Sequence, residues 1–142
     1  MNKSEQAWHI AQTEDVSSLR DSIVLYSISY LETDQNKRNA LQYVATHTGS
    51  IMLDQTPCGQ KLIALGLEGD HKIPDTEIMK IWSVASARFI AAASGDVKAF
   101  VDCADKRSIF VTTELPQILK NQQISKINGI DKKVFAERFK AF

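Results

Sequence analysis

A change of residue pattern at Gly95 constrains the fold more than any other feature of the chain. Before it, a helix is predicted to begin after the N-cap Asp75 and to end at Ser94-Gly95. Apolar residues recur along that helix at helical spacing: Ile78, Trp82, Ala85, Phe89 and Ala92. After Gly95, β-branched and aromatic segments predict three strands: 97–101, 108–112 and 124–129. A helical segment at 115–122 separates the last two strands, and this order with short connections favours an at least partly parallel sheet.

The remainder of the chain is predicted to be mostly helical. Residues 15–46 carry apolar side chains at helical spacing, from Val16 to Val44. The stretch 47–74 is interrupted by glycine and proline, which predicts loops with one short helix at 60–65. The last segment, 131–142, is again helical in pattern.

These elements define the predicted fold class, which is α/β (α+β). A mainly helical part, 1–94, precedes a small α/β part, 95–142, in which helices flank a mainly parallel sheet. The whole of 1–142 is expected to be one domain, because the length and the 44% hydrophobic content suffice for one core.

Charge and composition exclude several classes of function. Lys plus Arg and Asp plus Glu are both 17, so the chain lacks the broad basic surface of a nucleic-acid binder. The sequence predicts no membrane span and no secretory signal, since no long apolar run occurs and the N-terminus is polar. Two cysteines and three scattered histidines predict neither a disulfide framework nor a metal site. We expect a protein that acts in the cytoplasm, or a piece of a larger one.

Glu114 follows the predicted strand 108–112 and stands directly ahead of a Leu-Pro break. In open α/β sheets, ligands bind beyond the carboxyl ends of the strands. A carboxylate at this position is therefore placed to meet a ligand. The alternative is a solvated glutamate at a strand end.

Three blocks of sequence, in this order, resemble the ADP-ribosyl cyclase family of NAD-consuming glycohydrolases. LDQTPCG (53–59) is similar to the family's Leu-Glu-Asp-Thr-x-x-Gly signature. The helix with Trp82, Ser86 and Arg88-Phe89 is similar to the family's long helix. Ser108 to Glu114 matches a Ser/Thr-x-Phe-x-x-x-Glu segment. The resemblance covers residues from about 51 to 115 and implies an ADP-ribosyl cyclase-like fold.

The resemblance implies roles for six residues. Glu114 matches the catalytic glutamate, Trp82 an active-site tryptophan, and Asp54 the acidic residue of the upstream signature, where it replaces glutamate. The implied substrate-binding residues are Ser86, Ser108 and Phe110. The family's second active-site tryptophan, which precedes a Ser-Arg phosphate contact, has no match, and Tyr30 and Tyr43 are weak stand-ins.

The chemistry suits these residue types without the family. Cleavage of the nicotinamide–ribose bond passes through an oxocarbenium-like state, which a carboxylate such as Glu114 stabilises. The nicotinamide of NAD+ is a flat cation, which suits the face of the Trp82 indole. Trp82 and Ser86 are four residues apart and share one helix face.

Each assignment also has a structural alternative. A tryptophan on an amphipathic helix and a strand phenylalanine are commonly core residues, which applies to Trp82 and Phe110. Ser86 has the alternative of an ordinary helix position, and Asp54 that of initiating the turn before Thr56. Arg88 is expected to form a surface or ion-pair contact.

The expected function is NAD(P)+ glycohydrolase activity that gives nicotinamide and ADP-ribose, with some cyclic ADP-ribose. NAD(P)+ is then a substrate, and no cofactor or metal is required. A disulfide-free domain of this kind resembles the toxin domains of bacterial polymorphic or contact-dependent effectors, which implies delivery into a target cell, NAD depletion and a cognate immunity protein as partner. The alternatives are an inactive nucleotide-binding or protein-interaction module and a toxin of another chemistry, such as a ribonuclease.

Overall fold

A computed structural model describes residues 1–67 and 75–140, and in these ranges six α-helices pack around a four-stranded sheet. The helices are α1 (Lys3–Thr13), α2 (Gln35–Thr46), α3 (Pro57–Ala64), α4 (Thr76–Ala91), α5 (Leu115–Lys120) and α6 (Lys132–Ala136). The strands are β1 (Val24–Tyr26), β2 (Gly95–Phe100), β3 (Ile124–Ile127) and β4 (Ile130–Asp131). The shorter elements are 3-10 turns at Leu53–Gln55 and Glu137–Phe139 and a π-helical turn at Phe110–Glu114.

The sheet has the order β1-β2-β3-β4 and is mainly parallel. β1 pairs with β2 in parallel, with Val24 opposite Lys98 and Tyr26 opposite Phe100. β2 pairs with β3 in parallel and β3 with β4 in antiparallel. The predicted fold class is therefore confirmed: helices flank a small, mainly parallel sheet. None of the described helices is long and apolar enough to cross a membrane.

Helix α4 lies in the interior, as the sequence pattern predicts. The Asp75 carboxylate accepts a hydrogen bond from the Glu77 amide (2.9 Å) and caps its start. Its buried apolar residues are Ile81, Ala85, Phe89 and Ile90. The Asn121 side-chain amide donates to the carbonyls of Ile90 (2.8 Å) and Ala93 (3.0 Å) and so satisfies the free end of the helix.

Helix α1 packs against α4 and was not indicated by the sequence pattern. Asn2 and Glu5 form a capping box at its start. At its other end, the Arg88 guanidinium donates to the carbonyls of Ala11 (2.7 Å) and Glu14 (2.8 Å). Arg88 is thus a part-buried structural residue that joins α4 to α1.

The predicted helix over 15–46 is wrong in its first half. Only α2 (Gln35–Thr46) is helical, while residues 24–26 form β1 and Ile23 pairs with Ile51. Ile23, Val24 and Leu25 are buried in succession, a pattern that belongs to a strand covered on both faces. Helical spacing of apolar residues was therefore coincidental here, and parallel pairing with β2 decided the structure.

The predicted strand over 108–112 is also wrong. The Ser108 carbonyl accepts from the Thr112 amide (3.0 Å), and the Ser108 hydroxyl accepts from the Val111 amide (3.2 Å). These bonds start a helical turn that runs directly into α5, although its residues are β-branched. Local hydrogen bonding from a serine overrides strand propensity at this point.

The remaining elements agree with the predictions to within a few residues. β2 and β3 fall on the predicted strands, but an Asn128-Gly129 turn with positive φ ends β3 early and starts β4. α3 begins three residues before the predicted 60–65 helix. Residues 68–74 of the predicted loop and 141–142 of the last predicted helix lie outside the described residues. The single-domain assignment of 1–142 stays a prediction.

We predict that Arg88→Met destabilises the fold by about 2 kcal/mol, because two backbone carbonyls lose a charged donor. The measurement is urea unfolding followed by circular dichroism. Lys80→Met on the exposed side of the same helix is the control, and its free energy of unfolding should stay within about 0.5 kcal/mol of the wild type. Equal stability of the two variants would contradict the proposal that the hydrogen bonds of Arg88 stabilise the packing of α1 on α4.

Candidate active site

One pocket opens beside the carboxyl end of β1, and fourteen of the described residues line it. They come from β1 and the loop after it, the 3-10 turn at Leu53–Gln55, helix α4 and the π-helical turn. Five of the six residues predicted to form the site lie in this lining: Glu114, Trp82, Asp54, Ser86 and Phe110. Segments more than 50 residues apart in the chain therefore meet at one place.

Glu114 is the most unusual group in the pocket, because its side chain is only 6% exposed. Burial raises its pKa to about 8, and the negative charge of Asp54 adds to this rise. A hydrogen bond from the Ser86 hydroxyl opposes the rise by favouring the carboxylate. Glu114 is therefore mainly protonated at neutral pH. It is the last residue of the π-helical turn and does not, as predicted, follow a strand.

Asp54 reaches the pocket from the 3-10 turn. Its carboxylate accepts a hydrogen bond from the Tyr26 hydroxyl (3.3 Å), and its backbone carbonyl accepts from the Gln60 side chain (2.6 Å). The residue that caps α3 is Thr56, whose hydroxyl accepts from the Gly59 amide (3.1 Å). The Asp54 side chain itself lies in the pocket wall.

Because Gly59 has no side chain, helix α3 can pack directly against this turn. A Cβ at Gly59 would overlap the Leu53 carbonyl oxygen and come within 2.8 Å of the Asp54 Cα. The first turn of α3 therefore packs directly on the backbone that carries Asp54. This contact gives a structural reason for the glycine at the end of the LDQTPCG block.

Trp82 and Ser86 occupy successive turns of α4 on the side that faces the pocket. The Trp82 indole N–H donates to the Leu67 carbonyl (2.7 Å), which fixes the plane of the ring. The ring is half-buried and also packs against the core. Trp82 accordingly combines a core position with an exposed aromatic surface in the pocket.

Phe110 lines the pocket, and Ser108 does not. Phe110 packs edge-to-face on Phe139, with ring centroids 5.6 Å apart. Ser108 is completely buried, does not line the pocket, and uses its hydroxyl and carbonyl to start the π-helical turn. The structure thus does not bring Ser108 together with the other predicted residues.

Tyr26 is the pocket residue that sequence reasoning missed. It lies at the end of β1, bonds to Asp54, and has the Lys37 ammonium 5.9 Å from its ring centre. The suggested stand-ins lie elsewhere: Tyr30 is 61% exposed, and Tyr43 stacks on His47. A signal was present, since Tyr26-Ser27-Ile28 keeps the aromatic-serine order of the family's Trp-Ser-Arg run, with isoleucine in the arginine position.

Comparison with known proteins identifies the fold. No protein-family model and no curated protein matches the chain. Aplysia cyclase, crystallised with the substrate NGD and the product cGDPR, matches with a TM-score of 0.55 and 21% identity, over 77% of this chain and 48% of that chain. Apo porcine CD38 matches with a TM-score of 0.53 and 18% identity, over 88% and 65%. A complex of porcine CD38 with the covalent intermediate ribo-F-ribose-5′-phosphate gives 0.51 and 21%, over 81% and 63%.

The chain has an ADP-ribosyl cyclase-like fold. It spans between 48% and 65% of the length of these three chains. At such identities the likeness is one of fold, and the predicted cyclase-like architecture is confirmed on that level.

Cys58 is buried and Cys103 exposed, and both are free thiols. Within residues 1–67 and 75–140, no group of three His, Cys, Asp or Glu side chains is placed to hold a metal ion.

The raised pKa of Glu114 predicts a pH-dependent stability. The ordinary value is 4.5 and the folded value about 8, so the folded state holds this proton more tightly than the unfolded state. The contribution of Glu114 to stability is therefore present below about pH 4.5 and is lost as the pH rises through 8. We expect the free energy of unfolding of the wild type to fall, relative to Glu114→Gln, by up to about 1.4 kcal/mol per pH unit in this window.

Urea unfolding at pH 5.5, 7 and 8.5 measures this difference. Glu137→Gln, which changes an exposed carboxylate, serves as the control and should follow the wild type at every pH. Parallel curves for the wild type and Glu114→Gln would show that the carboxyl group is not buried as described.

We also predict that Gly59→Ala destabilises the fold by about 3 kcal/mol through overpacking. Alanine is otherwise preferred to glycine inside a helix by about 1 kcal/mol, so a loss isolates the overlap with the Leu53–Asp54 backbone. Gly49→Ala is the control for backbone strain: its φ is +90° and a Cβ there meets nothing within 4 Å. A rise in the melting temperature of Gly59→Ala would argue against the close approach.

Proposed function

We propose that the chain is an NAD(P)+ glycohydrolase that cleaves the nicotinamide–ribose bond to give nicotinamide and ADP-ribose, with some cyclic ADP-ribose. The observation that carries this proposal is the buried Glu114 carboxyl group in a pocket walled by Trp82. A carboxyl group in that position suits the positive charge that develops when a ribose loses its base.

The chemistry follows from the groups in the pocket. The C1′–N bond of the substrate breaks, and neutral nicotinamide leaves with the bonding electron pair. The ribose then carries an oxocarbenium-like charge, which the Glu114 carboxylate stabilises or traps. Water adds to C1′ and loses a proton, which gives ADP-ribose. Attack by the adenine of the same molecule would give the cyclic product, so access of water decides between the two.

The other pocket residues are proposed to bind the base. The Trp82 indole offers a flat face to a cationic pyridinium ring. Tyr26 offers a second aromatic surface, and its bond to Asp54 orients that carboxylate. Asp54 is proposed to bind the carboxamide of nicotinamide or to shape the pocket. Ser86 donates a hydrogen bond that favours the ionised form of Glu114.

The structural neighbours support this class of reaction. Aplysia cyclase was crystallised with the substrate NGD and the product cGDPR, and porcine CD38 with the covalent intermediate ribo-F-ribose-5′-phosphate. Two departures concern the phosphates of the substrate. The family's Trp-Ser-Arg run has no match in the sequence, and Ser108 is buried outside the pocket. The binding of the diphosphate is therefore proposed to differ from the family's.

We further propose that the domain acts in the cytoplasm of a target cell as the toxin part of a larger bacterial effector, where it depletes NAD, and that a cognate immunity protein neutralises it. The free thiols Cys58 and Cys103 are compatible with a reducing compartment. Expression in bacterial cytoplasm tests this proposal: the wild type should lower NAD and arrest growth, whereas Glu114→Gln should do neither.

The central prediction concerns nicotinamide release from NAD+ and NADP+ by the purified chain. We expect release by the wild type and a loss of at least about a hundredfold in Glu114→Gln, because one key charge is removed and the shape is kept. Glu137→Gln should retain the wild-type rate. The assay is chromatographic quantification of nicotinamide and of the ADP-ribose products.

Other results point to the other candidate functions. Binding of NAD+ without cleavage would favour an inactive nucleotide-binding module. Cleavage of RNA with NAD+ left intact would favour a ribonuclease. Equal release by the wild type and Glu114→Gln would remove Glu114 from the mechanism.

A further inference from the structure

The pocket has an unusual charge inventory. Two of the fourteen residues that line it carry carboxyl groups, Asp54 and Glu114, and none of the fourteen is Lys, Arg or His. The remainder are apolar or aromatic residues, two serines and Tyr26. Such a lining disfavours an anionic ring in the pocket and favours a cationic one.

Three elements contribute polar groups to the pocket around Glu114. The 3-10 turn contributes the Asp54 carboxylate, and β1 contributes the Tyr26 phenol, which donates to Asp54. Helix α4 contributes the Ser86 hydroxyl and the Trp82 indole. Lys37 of α2 lies against the Tyr26 ring, and it is not among the fourteen described residues that line the pocket.

Two carboxyl groups in one poorly hydrated pocket compete for ionisation. The negative charge of one raises the free energy of ionising the other, and burial raises it further. Asp54 is the more exposed of the two and has a phenol donor, whereas Glu114 is almost fully buried. In the empty pocket, the proton therefore resides on Glu114.

We propose that the pocket admits a flat organic cation in exchange for the Glu114 proton, so that a cationic nicotinamide ring generates the carboxylate it reacts with, while a neutral ring of the same shape does not. This inference rests on the proposed function only in taking nicotinamide as the ring. The cation and the proton compete for the same negative charge, and binding one releases the other.

Cleavage of the substrate reverses this exchange of cation for proton. Cleavage moves the positive charge from the pyridinium ring to the ribose, where it offsets the charge of Glu114 until water adds to C1′. Glu114 takes up the proton that this water loses, and neutral nicotinamide and the ADP-ribose product leave a pocket that has returned to its starting charge. Substrate binding and product release are thereby driven by the same carboxyl group.

The test compares two intact dinucleotides that the enzyme does not cleave. One is the carbocyclic analogue of NAD+, in which CH2 replaces the ribose ring oxygen, so no oxocarbenium ion can form. The other is NADH, whose ring is neutral. Isothermal titration calorimetry from pH 6 to 9, in two buffers of different ionisation enthalpy, gives the affinity and the number of protons released for each.

For the carbocyclic analogue, we expect the affinity to rise by up to about tenfold per pH unit below pH 8 and to level off above it, with release of about 0.9 proton at pH 7. NADH should bind with little dependence on pH and release almost no proton. Glu114→Gln should abolish both the pH dependence and the proton release, and Glu137→Gln should leave them unchanged. Asp54→Asn should move the midpoint to lower pH.

The outcomes separate this inference from the proposed function. A flat affinity for the carbocyclic analogue without proton release, or the same dependence for NADH, would overturn the inference even if NAD+ is cleaved. Proton-coupled binding of the analogue without cleavage of NAD+ would support the inference and overturn the enzymatic function. Failure of the carbocyclic analogue to bind would overturn the inference, and cleavage of NAD+ would decide the proposed function separately. The wild-type titration alone decides, so the result does not depend on a variant that folds.

Discussion

The burial of helix α4 between α1, α5 and the two short turns is the packing constraint on which the pocket depends. Phe89 and Ile90 anchor the helix in the core, and Asn121 and Arg88 tie it to neighbouring elements by hydrogen bonds to backbone carbonyls. Because the helix cannot rotate without exposing that face, the Trp82 and Ser86 side is held toward the pocket. The positions of the Trp82 and Ser86 side chains thus follow from core packing.

The pocket beside helix α4 contains several groups whose burial or close packing is unfavourable for stability. Glu114 is buried without a basic side chain in the lining, and α3 approaches the Asp54 turn closely enough to require Gly59. Ser27 also has a buried hydroxyl without a described partner at the pocket wall. Concentration of such features in one place is what a functional site shows, since a fold selected for stability alone would fill the pocket with apolar side chains.

The sequence predicted the elements that local signals determine. Asp75 caps α4, and Gly95, with a φ of +85°, ends the helical segment ahead of β2, both through local backbone effects. β1 and the π-helical turn were mispredicted, because the first depends on pairing with a strand some 70 residues away and the second on the hydrogen bonds of Ser108. Five of the six residues that the resemblance assigned to the site lie in the pocket lining. Tyr26 was missed because the segment that carries it was taken for a helix, which would have pointed its ring elsewhere.

The parallel pairing of β1 with β2 has a kinetic consequence. Residues 24–26 must meet residues 98–100, so the loop that closes between them contains α2, α3 and α4. Helices form from contacts within short segments, whereas such long-range parallel contacts form slowly. Residues from β1 and from the turn at 110–114 both line the pocket, so a nascent or partly folded chain has its helices before it has a pocket. Any activity that the pocket confers therefore begins only when the last stage of folding is complete.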